Sequence, residues 1–237
     1  MRRRSTLSAV LAVAFAAAPA AAQVTAGQVD DFTGPSAEGW FYGGGPGGVP
    51  PTPATVLATG GPAGVGDAFM RLTATGGGGQ GSRLSILNAA QWGGNYTAAG
   101  VGAIQMDVRN AGMTDLSLRL FLETIGAMGP TDIAYSTVPV TLAAGSGWTR
   151  VVFPLIGGLS NAPIPGSAIA DALASATLLR LSHSPDPLDP SGPAPAVVAT
   201  LDVDNVAAVA VVPEPTTLTL LAGGAALLAL ARRRRVG

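Results

Sequence analysis

Alternation of apolar and polar residues in the middle of the chain predicts β-strands. In residues 103–109 the apolar positions Ile104, Met106 and Val108 alternate with polar ones, and in residues 116–123 every second position is leucine. Side chains of a strand point to opposite faces in turn, so each segment is predicted to bury one face. Residues 110–112, Asn-Ala-Gly, have turn composition, and the two segments are therefore predicted to form a hairpin.

Further segments of the same kind are rich in apolar and β-branched residues. They lie at 69–74, 83–87, 135–142, 149–155, 178–182 and 196–203. Residues 168–176 are the one segment that is predicted as a short helix. Short strands separated by segments rich in glycine and proline are typical of an all-β sandwich. We therefore predict one β-sandwich domain over residues 23–211, long enough to bury a single core.

The first 22 residues have the pattern of a signal peptide. Arg2, Arg3 and Arg4 precede an apolar stretch at 7–18, and three alanines at 20–22 form a small-residue cleavage site before Gln23. A basic start, a short apolar segment and small residues at the cleavage site are the marks of a secretory leader. The secretion machinery and signal peptidase are the predicted partners of residues 1–22, and export through the inner membrane is expected.

The last 26 residues have three parts in a fixed order. A proline-rich motif is followed by an apolar run at 216–231 and then by arginines. The motif is Val212, Pro213, Glu214 and Pro215, and the arginines are Arg232, Arg233, Arg234 and Arg235. Sixteen residues make a helix of about 24 Å, which is shorter than the roughly 30 Å core of a bilayer. Arginine clusters stay on the cytoplasmic side, so the prolines are expected on the opposite side, in an extended segment open to a protease.

This C-terminal arrangement resembles the PEP-CTERM sorting signal of exported bacterial proteins. The resemblance implies processing by exosortase, a membrane-embedded cysteine transpeptidase or protease. It also implies a single transmembrane helix at 216–231, transient anchoring in the membrane, and a final place at the cell surface or in the extracellular matrix. A plain tail anchor and a buried helix of a globular domain are the alternative interpretations of residues 212–237.

The composition of the mature domain argues against several classes of function. The chain has no lysine and no cysteine, and residues 23–212 hold six arginines and thirteen carboxylates, a net charge of about −7. An acidic domain without a basic patch is a poor binder of nucleic acid, and without cysteine it has no disulfides. His183 is the single histidine. Nucleophilic catalysis by a Cys-His pair or a lysine is therefore excluded, and we predict that the protein is not an enzyme.

A second resemblance covers most of the mature chain. It rests on short pieces at 30–32 (Asp-Asp-Phe), 39–40 (Gly-Trp), 91–94 (Gln-Trp-Gly-Gly), 147–148 (Gly-Trp), 151–155 (Val-Val-Phe-Pro-Leu) and 201–206 (Leu-Asp-Val-Asp-Asn-Val). The domain resembles the galactose-binding-like jelly roll, the sandwich of carbohydrate-binding modules and laminin-B-like domains. The resemblance implies that the first and last strands are neighbours.

Proximity of these strands would gather four aspartates and, as the resemblance implies, a structural calcium ion. The predicted ligands are Asp30, Asp31, Asp202 and Asp204, with Asp31 and Asp204 as the first choices. Calcium takes 6 to 8 oxygen ligands, which carboxylates and backbone carbonyls supply. The alternative is that the four aspartates are ordinary residues of turns and polar faces.

Two groups of residues are candidates for binding a sugar. Trp92 and Tyr96, in the glycine-containing loop 91–100, are predicted to be exposed and to stack on sugar rings. Asp107, Arg109 and Arg119 are predicted to share one polar face that binds the ligand. The alternatives are that the aromatic side chains fill the core and that the charged residues form ion pairs on a solvated face.

These observations predict an exported, non-enzymatic surface or matrix protein whose β-sandwich binds extracellular polysaccharide. One alternative is a secreted polysaccharide hydrolase that uses two carboxylates. Another is a structural or adhesive protein without a ligand.

Overall fold

The computed structural model describes residues 23–43, 52–77, 81–186 and 193–211. The predicted signal peptide at 1–22, the motif Val212–Pro215, the apolar segment 216–231 and the arginines Arg232–Arg235 lie outside the described residues. Within the described part, the regular secondary structure consists almost entirely of strands.

Fourteen strands and one short helix make up the described part of the chain. In chain order they are β1 (Val29–Asp30), β2 (Trp40–Tyr42), β3 (Thr52–Pro53), β4 (Thr55–Leu57), β5 (Phe69–Thr75), β6 (Ser85–Asn88), β7 (Val101–Asn110), β8 (Leu116–Gly126), β9 (Gly129–Ser136), β10 (Val140–Leu142), β11 (Thr149–Pro154), β12 (Leu159–Asn161), α1 (Ile169–Ser175), β13 (Leu178–His183) and β14 (Val198–Ala210). The predicted strands and the predicted helix are confirmed, apart from shifts at their ends and a break in the strand predicted at 135–142.

The strands form two antiparallel sheets that face each other. The six-stranded sheet has the order β11-β7-β14-β5-β4, and β1 pairs with β14 beyond the end of β5. The eight-stranded sheet has the order β12-β9-β8-β13-β6-β2-β3, and β10 also pairs with β8. The pairing of β1 with β14 confirms that the first and last strands are neighbours. The architecture is an all-β jelly-roll sandwich, as predicted.

The core lies between the inner faces of the two sheets. Alternate apolar residues of β7 and β14 fill it from one side, and those of β8 and β13 fill it from the other. The fully buried members include Ile104, Met106, Val108, Leu118, Leu120, Leu122, Leu179, Leu201 and Val203. The period-two pattern is thus explained by burial of one face of each sheet.

The predicted hairpin of β7 and β8 is wrong. The two strands lie in opposite sheets, and the connection between them crosses from one sheet to the other. The backbone amides of Ala111 and Gly112 both donate to the Thr200 carbonyl, and the Asn110 side chain donates to the Leu142 carbonyl at 3.2 Å. These bonds tie residues 110–112 to β14 and β10 instead of closing a turn between β7 and β8.

Two further elements differ from the sequence-based expectation. The sequence predicts one strand over residues 135–142, whereas the chain breaks between β9 and β10, and both of these strands pair with β8. The last strand, β14, is longer than predicted, and its register with β7 shifts between Asp204 and Ala207. Asn205 in this irregular stretch has a φ of 51°.

No helix in the described residues is both long and apolar enough to traverse a membrane. The helix α1 has seven residues.

Candidate functional site

A row of side chains crosses the outer face of the eight-stranded sheet, one from each of seven adjacent strands. In register order the row is Pro53, Phe41, Leu87, Arg180, Phe121, Tyr135 and Ser160. Strand neighbours lie about 4.8 Å apart, so the part from Phe41 to Tyr135 is about 19 Å long. We call these seven residues the aromatic row.

Contacts within the aromatic row hold its centre rigid. The Phe121 and Tyr135 rings lie with centroids 6.0 Å apart at 39°. The Arg180 guanidinium stacks over the Phe121 ring at 3.9 Å from its centroid and forms an ion pair with Glu123. Ile133 and Ala162 complete a small apolar cluster around Phe121 on this side of the sheet. The centre is therefore packed and held by charge before any ligand arrives.

The ends of the aromatic row are open to solvent. Phe121 is fully buried, but Tyr135, Leu87 and Phe41 are partly exposed, and Pro53 is exposed. Beside Phe41 and Pro53 lies a surface cavity of about 540 Å³ that residues 35–41 also line. The row thus offers two partly exposed aromatic rings on either side of a planar guanidinium, with a recess at one end.

The outer face of the six-stranded sheet carries charges instead. Asp202, in the centre, accepts hydrogen bonds from Arg71 at 2.6 Å and from Arg109 at 2.7 Å. At the next position of the same face of β7, Asp107 forms an ion pair with Arg150 at 2.9 Å. We call these five residues the charged face. Its carboxylates are buried below the arginines, so each charge has its partner within the sheet.

Aromatic rings support the arginines of the charged face. The Arg109 guanidinium lies 4.9 Å from the Trp148 ring centroid and 5.3 Å from that of Phe69. The two rings are in edge-to-face contact at 5.4 Å. Cation–π contacts of this kind add to the ion pairs and hold the guanidinium in place. The role of Arg109 visible here is therefore structural.

Asp204 is the most perturbed carboxyl group of the described residues. Its side chain is buried, and burial is the main reason that its pKa rises to about 7, with smaller contributions from the charges of Asp67, Asp107 and Asp31. Asn205 donates from its side-chain amide to Asp107 at 3.0 Å and to Asp204 at 3.2 Å. Asp107 and Asp204 are thus a bridged pair, but both are buried and Asp107 is occupied by Arg150.

Asp30 has a structural role that the sequence did not indicate. One of its carboxylate oxygens accepts hydrogen bonds from the indole N–H groups of Trp40 and Trp92, each at 2.7 Å. Burial raises the pKa of Asp30, and the two indole bonds act in the opposite direction. The carboxylate thereby joins β1, β2 and the loop after β6.

The four aspartates predicted to bind calcium are not gathered into one ligand set. Asp30 holds two indoles, and Asp202 holds two arginines. Among the described residues, no group of three or more carboxylates or other ligating side chains is arranged to hold a metal ion. Asp31 is close enough to Asp204 for its charge to contribute to the raised pKa of Asp204. Calcium binding stays a prediction that now depends on these two residues.

The prediction of exposed sugar platforms in loop 91–100 is wrong. Trp92 and Tyr96 are fully buried, and the Tyr96 hydroxyl donates to the Trp92 carbonyl at 2.7 Å. Both side chains belong to the core, which was the alternative interpretation. Neither ring can stack on a sugar from this position.

The predicted polar face of Asp107, Arg109 and Arg119 is divided between the two sheets. Asp107 and Arg109 belong to the charged face, and their ion pairs confirm the alternative interpretation. Arg119 lies in the other sheet, is buried, and donates to the carbonyls of Ser136 and Thr137, both at 2.6 Å. The error follows from the wrong hairpin, because pairing β7 with β8 would have placed all three side chains together.

His183 has no catalytic setting. It is the last residue of β13, and its Nδ1 accepts a hydrogen bond from the Ser117 amide at 3.0 Å. Burial lowers the pKa of His183, so the ring stays neutral at physiological pH. The acceptor nitrogen of this neutral imidazole is bound to a backbone amide of the segment around β8. His183 therefore helps to hold β13 beside β8.

The aromatic row was not among the predicted sites. Phe121 stands at the polar positions of β8, between Arg119 and Glu123, and this apolar residue on the outer register was a usable signal. Tyr135 and Phe41 gave no comparable signal, because their positions in the row depend on strand order. Strand order is a long-range property that the pattern along the chain does not contain.

Residues 211–235 match the model of the PEP-CTERM protein-sorting motif. A search of the curated proteins finds no match. An exo-β-agarase superposes on 80% of this chain with a TM-score of 0.51 and 11% identity, and the match covers 25% of the agarase.

Carbohydrate-binding modules are among the structural neighbours. The family 11 module from Clostridium thermocellum, solved with a β-1,3-1,4-mixed-linked tetrasaccharide, matches 79% of this chain and 97% of its own at a TM-score of 0.49 and 14% identity. A CBM22-1 xylan-binding domain from Paenibacillus barcinonensis matches 80% of this chain and 99% of its own at 0.41 and 16%. At these identities the likeness concerns the fold alone. The chain therefore combines a jelly-roll β-sandwich with a C-terminal PEP-CTERM sorting motif, which indicates export and a cell-surface or extracellular fate.

Proposed function

We propose that this is an exported, non-enzymatic protein that exosortase sorts and whose β-sandwich binds extracellular polysaccharide. The match of residues 211–235 to the sorting motif supports the first part. In this proposal the apolar segment 216–231 anchors the chain transiently, Arg232–Arg235 keep the end of the chain in the cytoplasm, and Val212–Pro215 are presented to the enzyme on the other side.

The aromatic row is the proposed polysaccharide site. Tyr135 and Phe41 present partly exposed rings about 19 Å apart along one line, and the apolar faces of sugar rings pack on such surfaces. Arg180 lies between them, with its guanidinium plane held by Phe121 and Glu123. Binding to a preformed row loses little side-chain conformational entropy, because the central side chains of the row are already fixed. This geometry is the observation that carries the proposal.

Electrostatics favours a neutral polysaccharide over a polyanionic one. The mature domain has a net charge of about −7. Arg71, Arg109, Arg150 and Arg180 are each bound to a carboxylate within the protein. An acidic domain whose arginines are neutralised in this way repels a uronate-rich or sulfated chain at low salt. We therefore expect neutral glucans, xylans or galactans to be retained more strongly than acidic polymers.

Affinity electrophoresis on a panel of neutral and acidic polysaccharides tests the binding proposal. The protein should be retarded by at least one neutral polymer, and replacement of Tyr135 by alanine should weaken the affinity measured from the retardation about tenfold. A reducing-sugar assay on the same polymers tests the hydrolase alternative, for which Asp107 and Asp204 are the bridged carboxylates. Release of sugar ends that Asp204→Asn removes would overturn the non-enzymatic assignment, and self-association without retention would favour an adhesive protein.

The sorting proposal has its own test in cells. Mass spectrometry of the envelope protein from strains with and without exosortase should show the chain shortened near residue 215 only where the enzyme is present. Recovery of the complete tail from the strain that possesses exosortase would contradict the proposal.

A further inference from the structure

The described chain begins and ends at the same end of the sandwich. Val211 directly follows β14, and its amide donates to the Gly100 carbonyl at 2.8 Å. The Val24 amide donates to the Gly93 carbonyl at 2.9 Å. Residues 93 and 100 belong to the same connection between β6 and β7. The start of the predicted mature chain and the residue before Val212 therefore lie beside one loop.

Other segments complete this surface, which we call the terminal end. Gly94 forms a bridge with Ala176, and the Ile125 amide donates to the Thr177 hydroxyl at 2.9 Å. These contacts bring the start of β13 and the tip of the β8–β9 hairpin to the same place. The terminal end thus consists of residues 23–29, 93–102, 124–131, 172–178 and 206–211.

The terminal end has no charged side chain. None of its five segments, all of them described, contains aspartate, glutamate, arginine, lysine or histidine. Four acidic residues directly border its segments along the chain. Asp30 and Glu123 are buried and bound to the indoles and to Arg180, and the more exposed Asp132, which pairs with Thr124, and Asp171 mark its edge. Asp115 stands at the opposite end, beside the crossover from β7 to β8. In a domain with a net charge of about −7, an uncharged surface of this extent is a distinct feature.

The chain allows little distance between the terminal end and the apolar tail. Five steps lead from Val211 to Thr216, and an extended chain covers at most about 3.6 Å in each step, or about 18 Å in all. The sandwich is longer than that, since the ten residues of β7 alone span about 34 Å. A bilayer that holds residues 216–231 therefore lies near the terminal end and far from the opposite end.

We propose that the terminal end is the face with which the sandwich rests on the bilayer surface while the tail is uncleaved. This inference rests on the proposed anchoring by residues 216–231 and adds the orientation of the domain. Anionic lipid headgroups repel carboxylates within about a Debye length. An acidic domain on a short connection can avoid that repulsion only by turning an uncharged surface towards the membrane. The strands then stand away from the bilayer, and the aromatic row lies across them, parallel to its plane.

Site-specific quenching tests this orientation, and the absence of cysteine from the chain makes single labels possible. Thr97→Cys places a fluorophore on the terminal end, and Met113→Cys places it at the opposite end, both at exposed positions. The full chain is inserted into vesicles of phosphatidylcholine and phosphatidylglycerol that carry a headgroup quencher. We expect quenching at Thr97→Cys to exceed that at Met113→Cys by at least threefold. A flexible linker of twenty glycine and serine residues between Val211 and Val212 should bring the two values together.

Two results would overturn the proposal, and they have different meanings. Equal quenching of the two labels in vesicles that carry the protein would refute the orientation and leave the anchoring intact. Failure of the full chain to float with the vesicles, or flotation that survives deletion of residues 216–235, would refute the anchoring on which the orientation rests.

Discussion

The two outer faces of the sandwich differ in what their charges do. On the charged face, Asp202 and Asp107 are covered by arginines, so these carboxylates and arginines neutralise each other within the protein. On the opposite face, one ion pair fixes Arg180 at the centre of a row that leaves Tyr135 and Phe41 partly exposed. Both faces combine arginine with aromatic rings. The difference is that the charged face uses its arginines to cover buried carboxylates, whereas the aromatic row leaves two ring surfaces exposed to a ligand.

The largest expected effect is on stability, at the charged face. Asp202→Ala leaves Arg71 and Arg109 without their shared carboxylate, and loss of one partner from a buried ion pair is strongly destabilising. Because both guanidiniums are about a third exposed, water compensates in part, and we expect the free energy of unfolding to fall by about 2 kcal/mol. Urea denaturation measures this. An unchanged transition midpoint would show that the charged face does not stabilise the sheet.

The second effect is on binding, at the aromatic row. Tyr135→Ala and Phe41→Ala each remove one stacking ring, so the affinity for a retained neutral polysaccharide should fall about tenfold, which corresponds to about 1.4 kcal/mol. Trp148→Ala is the matched control, because it removes a partly exposed ring from the other face. Isothermal titration calorimetry compares the three variants. A loss of affinity in the Trp148 variant as large as in the others would show that the aromatic row is not the specific site.

A third, smaller effect is the dependence of stability on pH through Asp204, which is paired with Asp107 beside the charged face. The pKa of Asp204 is raised to about 7 in the folded protein, above the value near 4 of an unfolded aspartate. The folded state therefore holds a proton that the unfolded state releases between pH 4 and pH 7, and stability falls as pH rises through that range. Asp204→Asn should raise Tm at pH 8 by a few degrees and leave it nearly unchanged at pH 4.5.

Differential scanning fluorimetry in the presence of EDTA checks the pH effect without interference from metal ions. None of the seven residues of the aromatic row has a carboxyl group, so Tyr135→Ala should keep the wild-type dependence of Tm on pH. A Tm that rises between pH 5 and pH 8 in the wild-type protein would contradict the assigned role of Asp204.

The smallest expected effect concerns calcium. With Asp30 and Asp202 bound to indoles and arginines, Asp31 and Asp204 remain as the carboxylate ligands of the predicted set, and a millimolar site is the most they would form. Ten millimolar calcium should then raise Tm by about 2–4 °C, and Asp31→Asn should abolish the shift. The absence of any shift in the wild-type protein would end the calcium prediction.

How much the sequence could predict differs between local and long-range features. Alternation found β7 and β8 and their buried leucines, because the period of a strand is a local property. It could not show that the chain crosses to the other sheet after Asn110, since a turn and a crossover can share the composition Asn-Ala-Gly. The aromatic row could not be predicted for the same reason, because it depends on long-range strand order. The aromatic row exists only because β9, β8, β13, β6 and β2 are neighbours in that order.

Burial explains the remaining errors in the predicted site. A tryptophan next to glycine is as compatible with a loop platform as with a core position. Trp92 is a core residue because Asp30, 62 positions away, supplies a carboxylate for its indole N–H. Partners at such distances along the chain decide which polar and aromatic residues are available for a ligand.

Hydrogen–deuterium exchange of the full chain in nanodiscs, with and without a retained neutral polysaccharide, tests the central claim most directly. We predict that added protection is confined to the eight-stranded sheet and is greatest in β2, β6, β8, β9 and β13, the strands from Phe41 to Tyr135 of the aromatic row, and that Tyr135→Ala weakens it. Protection confined to β5, β7, β11 and β14 would place the ligand on the charged face and contradict the proposed site.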